Sequence, residues 1–419
     1  MINILWFSLS PCGALRRAGV HRVIQGWMIS LEDIIKKESD IKLSVAYFSS
    51  MREKDFEFDG VHYYPMFENS NKTGVQRVLE RWKSEKARDE RLMPAMLDVV
   101  RNSKPDIIHI HGTEQRFGLI ADYVKDIPVV YSIQGLFSPI CEKFFSGLAK
   151  QDIASTESFF LKIRGASINK IYKQCLYKAQ REQHYLTNAR YVFGRTSWDK
   201  NICKLFNPDV KYFVVNEIIR LPFFQHEWKK TKNNKTFIIV STLSPGQPYK
   251  GFETLLKSAH LLKTYFKYNF TWKVVGYTEN TQWVNIAEHV TGIKSMDVNI
   301  EFEGLLDADA LAVLLAQSNV YCHVSHIENS PNSVCEAMCI GIPIVASFAG
   351  GTSTMLDKYG VMVQDGDPFV LAGALADVLT NTDDYIEKCQ EGRKKALIRH
   401  SPENVKEELL HAYWDILQH

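Results

Sequence analysis

The sequence predicts an α/β protein of two domains, each a doubly wound parallel sheet covered by helices. Length is the first reason: 419 residues exceed the size at which one hydrophobic core usually divides. The second is pattern. Short apolar runs alternate with helix-length segments twice along the chain, as parallel sheets require. The third is composition: 45% apolar and 23% charged residues, with a formal net charge of +2, describe a globular protein and give no support for nucleic-acid binding through dominant basic charge.

The first series opens with a strand at 3–9, a glycine-bearing turn from Gly13 to Gly19, a helix at 23–35 and a strand at 41–48. The charged run 72–91 reads as an exposed helix or excursion. Residues 105–112 form an apolar strand ending in polar residues, and 128–133 form another, ending at Gln134 and Gly135. The region 136–190 mixes Phe144, Phe145, Phe159 and Phe160 with Lys162, Arg164, Lys170, Lys173 and Lys178. Two readings fit it: a membrane-surface or acceptor-binding face, or amphipathic helices packed on the domain. The Lys/Asn-rich run 229–235 suits a linker.

A second series follows, with a strand at 237–241, a turn from Leu243 to Gly251 and a helix to Leu262. Strands at 272–275, 300–302, 319–324 and 343–347, a helix at 308–318 and a terminal helix at 402–417 complete it. The expected domains are 1–220 and 221–402, with 403–419 packing back on the first. The N-terminus lacks the charged start of a signal peptide, and no run reaches the ~18 apolar residues of a membrane span. Eight scattered cysteines without a CxxC pair point to reduced thiols and a cytoplasmic location.

Chemistry concentrates between Val324 and Ala346. Two carboxylates, Glu328 and Glu336, flank Ser330-Pro331, which reads as a helix start with Ser330 as N-cap and Pro331 as first helical residue. Glu328 then lies on the loop and Glu336 one to two turns inside the helix. A helix start attracts anions, and carboxylates accept from hydroxyls, so the pattern suits a ligand carrying phosphate and sugar together. A strand before the loop and another after it, followed by Gly350-Gly351-Thr352-Ser353, place the site where doubly wound sheets bind ligands. Elsewhere the ordinary readings compete. His109 and His111 share a strand face and read as packed or edge residues, since no third metal ligand is evident. Cys335 and Cys339 share a helix face, which means packing more often than metal. Asp365 and Asp367 read as turn caps, and His326 as either a sugar neighbour or a solvated loop residue.

These residues resemble the retaining glycosyltransferases of family four, the glycosyl transferases group one set, whose fold is GT-B: two Rossmann-like domains facing a cleft. The likeness is strongest from Phe237 to Pro368. Glu328 and Glu336 match the family's E-x7-E signature, Glu336 through Ala346 its EAM-x-x-G-x-P-x-V-A run, Lys250-Gly251 its strand-turn Lys-Gly, and Gly360 through Asp367 its late glycine–aspartate element. Asp106 through His111 and Ala18-Gly19 carry a looser likeness in the first half. The resemblance implies a nucleotide-sugar donor (UDP-, GDP- or ADP-sugar), with Glu336 on the ribose and Glu328 on the transferred sugar. It places amides of Asn329, Ser330, Asn332, Ser333, Gly351 and Thr352 around the donor, and Lys250 on the diphosphate. Gly19 and Thr242 fall at donor-side positions, and Gln134 stands where many members carry a sugar-facing His. No metal or other cofactor is expected, since Lys250 and the helix start supply positive field. Thr242 replaces the usual Arg, leaving Arg16, Arg17 and Arg195 as candidate cations, and Thr354 replaces a usual Glu. The implied acceptor is a glycan or lipid-linked glycan in surface polysaccharide or lipopolysaccharide assembly, with peripheral contact at the inner membrane face and no nucleic acid. The alternatives are a phosphorylase- or epimerase-type enzyme and a non-catalytic nucleotide-sugar or glycan-binding protein.

Overall fold

The computed structural model describes residues 1–17, 19, 26–68, 73, 74, 76, 78, 79, 83–157, 159–164, 166–230, 236–244 and 246–418. Ala18, the start of the helix expected from 23, parts of the charged run 72–91 and most of the linker 229–235 lie outside them.

The chain forms two compact units. The first comprises Met1–Cys141, Ser158–Ile218 and His400–His419; the second comprises Glu142–Glu157 and Ile219–Arg399. The first unit holds an eight-stranded sheet. Its strands are β1 (Ile2–Phe7), β2 (Ile41–Ser49), β3 (Phe56–Phe58), β4 (Val61–Phe67), β5 (Ile107–His111), β6 (Val129–Ser132), β7 (Tyr191–Gly194) and β8 (Lys211–Val214). Their order is β3-β4-β2-β1-β5-β6-β7-β8, parallel except for the β3–β4 hairpin. Apolar runs such as Ile107-Ile108 and Val129-Val130 become central strands because both faces are covered and no polar alternation is needed. Buried side chains from β1, β2 and β5 and from the helix Gly26–Ile35 form one core layer with the terminal helix Pro402–Leu417.

That helix is fixed by polar bonds as well as packing. Trp6 Nε1 donates to the Tyr413 hydroxyl at 2.9 Å, and His109 Nδ1 lies 2.6 Å from the same oxygen. His109 Nε2 reaches Ser132 Oγ at 2.6 Å. Burial keeps both strand histidines neutral, His111 down to about 3, and their rings lie 3.8 Å apart. Packing, not metal ligation, accounts for His109.

The second unit holds a six-stranded, all-parallel sheet ordered β11-β10-β9-β12-β13-β14. The strands are β9 (Phe237–Thr242), β10 (Phe270–Val275), β11 (Ile300–Gly304), β12 (Val320–His323), β13 (Ile344–Ser347) and β14 (Val361–Val363). Successive strands run outward from β9 in one direction and from β12 in the other, so the topological switch point lies between β9 and β12. Cys335 and Cys339 are both buried in this unit's core. The segment Glu142–Glu157 clusters with this unit although strands of the first unit precede and follow it in sequence. Phe144 is buried there against Phe145 and Tyr249, whereas Phe159 and Phe160, in the first unit, are exposed. The aromatic–basic region is therefore core in one part and surface in another. Among the described residues no helix is long and apolar enough to cross a membrane.

Replacing Tyr413 by Phe leaves the buried Trp6 N–H and His109 without their partner. We expect a loss of about 1–3 kcal/mol, read as a lower urea midpoint for the first unit. An unchanged midpoint would show that the hydroxyl contributes nothing to docking the terminal helix.

Candidate active site

The C-terminal ends of β9, β12 and β13 carry the loops that assemble the site. After β9 the chain reaches Lys250, then Gly251 at φ +78, where a Cβ would lie 1.9 Å from the Val324 carbonyl oxygen. Only glycine lets this turn press against the end of β12. After β13, Gly350 at φ +54 is equally close to the Glu328 carbonyl oxygen, 1.9 Å from any Cβ, and Gly351 N–H donates to that oxygen at 2.9 Å. The loop between β12 and the next helix is held further by Ser347 Oγ donating to the Ser325 carbonyl at 2.5 Å and His326 N–H donating to the Tyr249 carbonyl at 2.9 Å.

These loops bring Lys250 and Glu328 together. Lys250 Nζ donates to Glu328 Oε1 at 2.5 Å, Ser325 Oγ donates to the same oxygen at 2.8 Å, and His323 Nε2 lies 3.8 Å away. Burial is the largest influence on Glu328 and pushes its carboxyl up, but Lys250 foremost, with Ser325, outweighs it and holds the group below its ordinary value. Glu328 is thus an ionised carboxylate. His323 is driven by burial to about 4 and stays neutral, its two ring nitrogens lacking hydrogen-bond partners among the described residues.

The helix that follows runs Asn332–Ile340, with Pro331 as N-cap at φ −71 and ψ 106. This corrects the expected start. Pro331 is extended and lies outside the helix, so Ser330 falls one residue too early to cap it, and its hydroxyl instead faces Met355 Sδ at 3.6 Å. Glu336 is the fifth helical residue, and Gly341, left-handed at φ +79, ends the helix. Glu336 Oε1 accepts from Arg220 Nε at 3.0 Å and Nη2 at 2.6 Å. Burial dominates here, and despite Arg220 the carboxyl lies above its ordinary value.

Thr242 and Ser333 both hydrogen-bond the buried Tyr321 hydroxyl, Thr242 Oγ1 at 2.7 Å. Asn329 is buried, and Thr352 is wholly so. Asn332 opens the helix, and Gly351 precedes the short helix Thr352–Leu356. Glu328, Lys250, Glu336, Asn329, Ser330, Asn332, Ser333, Thr242, Gly351 and Thr352 therefore all belong to the second unit, at one end of its sheet. Gln134 and Gly19 belong to the first unit. Gln134 sits in the loop after β6, where Thr113 Oγ1 donates to the Gly135 carbonyl at 3.1 Å. Gly19 is left-handed at φ +70.

The three arginines considered as the missing cation are engaged in the first unit: Arg16 with Asp33 at 2.5 Å, Arg17 over the Phe56 ring at 4.1 Å, and Arg195 with Glu217 at 2.6 Å. Sequence reasoning missed Arg220, the residue that pairs with Glu336. Nothing in its local Ile219-Arg220-Leu221-Pro222 context marks it, and only the fold sets it against Glu336.

A second charged cluster lies behind the loop. Buried His326 bonds Glu253 Oε1 at 2.7 Å and lies 3.6 Å from Asp365 Oδ2, which Lys143 Nζ also contacts at 3.2 Å. Asp365 is therefore an ion-pair partner, while Asp367 caps the amides of Phe369 and Val370. Among the described residues no group of three or more His, Cys, Asp or Glu side chains is placed to hold a metal ion.

Two parallel doubly wound units with polar loops at the strand ends define the GT-B class of fold. Residues 234–381, within the second unit, match the model described as glycosyl transferases group 1. A curated relative from Haemophilus influenzae, described as an uncharacterized glycosyltransferase, is 27% identical over 165 residues, 38% of this chain and 44% of that protein. The chain thus matches less than half of that relative's length. Sucrose-phosphate synthase from Thermosynechococcus elongatus superposes over 100% of both chains with a TM-score of 0.71 at 13% identity. Anabaena HepE, solved in complex with UDP and glucose, superposes over 99% of this chain and 100% of its own with a TM-score of 0.63 at 15% identity.

Burial favours a neutral His326, yet Glu253 and Asp365 overcome it and raise the ring above its ordinary 6.5. Its stabilising charge is fully present below pH 6.5 and is lost as pH rises through the higher folded value. As pH rises above 6.5 the second unit should therefore lose thermal stability, and His326→Gln should flatten that slope. Parallel slopes for the two proteins would contradict the assignment.

Proposed function

We propose that the chain is a retaining glycosyltransferase that moves a sugar from a nucleotide-sugar donor to a hydroxyl of a glycan or lipid-linked acceptor. The observation that carries this reading is the pair of carboxylate–cation contacts, Glu328–Lys250 and Glu336–Arg220, at the strand ends of a glycosyl transferases group 1 domain. The UDP and glucose bound to HepE support a nucleotide-sugar donor.

In the reaction, the bond from the sugar's anomeric carbon to the diphosphate oxygen breaks. A bond to the acceptor oxygen forms on the same face, and the acceptor proton passes to the departing phosphate. Such chemistry relies on positioning and on charge stabilisation. Glu328, ionised, accepts hydrogen bonds from the transferred sugar and exchanges Lys250 for it, so that Lys250 meets the diphosphate as negative charge grows there. Glu336 accepts from the ribose hydroxyls. Arg220, whose side chain is 35% exposed, keeps donors to spare beyond the two on Glu336 and supplies the second cation that Thr242 does not. Lys250 and Arg220 together take the place of a divalent ion. Asn329, Ser330, Asn332, Ser333, Gly351 and Thr352 line the donor. The acceptor belongs to surface polysaccharide or lipopolysaccharide assembly in the cytoplasm, with exposed Phe159, Phe160 and Ile163 beside Arg164 suited to the inner membrane face.

Calorimetry and turnover with UDP-, GDP- and ADP-sugars test this. Glu328→Gln, with unchanged circular dichroism, should lower turnover about a hundredfold or more. Arg220→Ala should weaken nucleotide binding roughly ten- to a hundredfold. A wild-type protein that neither binds nor hydrolyses any of these donors rejects the reading. Donor binding without turnover over a broad acceptor screen supports a non-catalytic nucleotide-sugar-binding protein instead.

A further inference from the structure

Two cysteines of the first unit lie apart from the site described above. Cys141 is on the seven-residue helix Phe137–Lys143 and Cys175 on the long helix Ile168–Asn188. Their sulfurs are 2.7 Å apart, and both are reduced and buried, at 5% and 4% exposure. Two sulfurs this close need only a short approach to reach the roughly 2.05 Å of a disulfide bond.

The long helix grips the short one at its other end too. Glu182 accepts from the amides of Phe137 and Ser138 at 2.9 and 3.1 Å, and from Thr113 Oγ1 at 3.0 Å. The short helix follows the Gln134 loop directly. Two residues after Cys141, Lys143 makes its ion pair with Asp365. A covalent bond at Cys141 would complete a clamp begun by Glu182.

We propose that Cys141 and Cys175 form a redox site, oxidised by peroxide to an intramolecular disulfide that locks the Phe137–Lys143 helix onto the Ile168–Asn188 helix. In the first step one thiolate attacks a peroxide oxygen. The O–O bond breaks, water leaves, and the sulfur becomes a sulfenic acid. The second sulfur then displaces hydroxide from the sulfenic acid, the S–S bond forms, and its proton leaves with the hydroxide as a second water. Two sulfurs lose two electrons in all and both peroxide oxygens gain them. The Cys141 contact and burial hold the Cys175 thiol above its ordinary value, so the reaction quickens as pH rises. This site is independent of the glycosyl-transfer reading.

Treatment of the full chain with hydrogen peroxide, followed by alkylation in denaturant and peptide mapping, tests it. The eight thiols should fall to six, the mass should drop by two hydrogens, and the new cross-linked peptide should join Cys141 to Cys175. The oxidised protein should melt at a higher temperature than the reduced one, and thiol reductant should reverse both changes. Cys175→Ser should form no such cross-link, and Cys141→Ala repeats the test if that variant fails to fold. Eight intact thiols under peroxide that oxidises an exposed model thiol, a disulfide between other cysteines, or a lower melting temperature would overturn the proposal.

Discussion

The second unit's chemistry depends on one contact, the ion pair of Lys250 and Glu328. Neither residue sits on a strand. Each is carried on a loop that leaves the sheet beside the switch point, and each loop is pressed into place where only glycine fits, at Gly251 and Gly350. The pair is partly shielded, with side chains 17% and 16% exposed. Removing either partner leaves an uncompensated charge, which in buried pairs costs about 3–5 kcal/mol. The pair therefore ties the loop after β9 to the loop after β12.

The two glutamates of the E-x7-E spacing have distinct environments. Glu328 receives Lys250 and Ser325, and its carboxyl is held down. Glu336 is met by Arg220 alone among the groups that favour its charge, and burial keeps it up. Carboxylates whose surroundings push them apart take different roles. Glu328 is held below its ordinary value chiefly by Lys250. A Glu336 whose charge depends on Arg220 makes that arginine a positioning residue for whatever the carboxylate holds.

Much of this was legible in the sequence because its signals are local. Strands such as Ile107–His111 and Val320–His323 are mostly apolar runs that end in histidine, and Lys250-Gly251 and Gly350-Gly351 are motifs whose backbone demands are built into their residue types. The hairpin of β3 and β4 has one strand of only three residues, Phe56–Phe58, and carries Pro65 in the other, and both features weaken a strand signal. Ser330 and Pro331 illustrate a local signal misread: both residue types favour helix starts, and the extended ψ of Pro331, which only tertiary context sets, moved the boundary. Arg220 and the Cys141–Cys175 pair were illegible for another reason. Their partners lie 116 and 34 residues away, and no propensity reports a contact of that range.

The segment Glu142–Glu157 gives this last limit a structural consequence. The chain leaves the first unit after Cys141, contributes Phe144 to the second unit's core and Lys143 to the Asp365–His326 cluster, and returns at Ser158. His326 lies two residues before Glu328 on the same loop, so the Asp365 that Lys143 contacts also meets the loop that carries Glu328. Packing demands explain why the cluster is buried and doubly acidic. Glu253 and Asp365 raise the His326 ring above its ordinary value against the pull of burial, so this loop is held at two points, at His326 by the acidic pair and at Glu328 by Lys250.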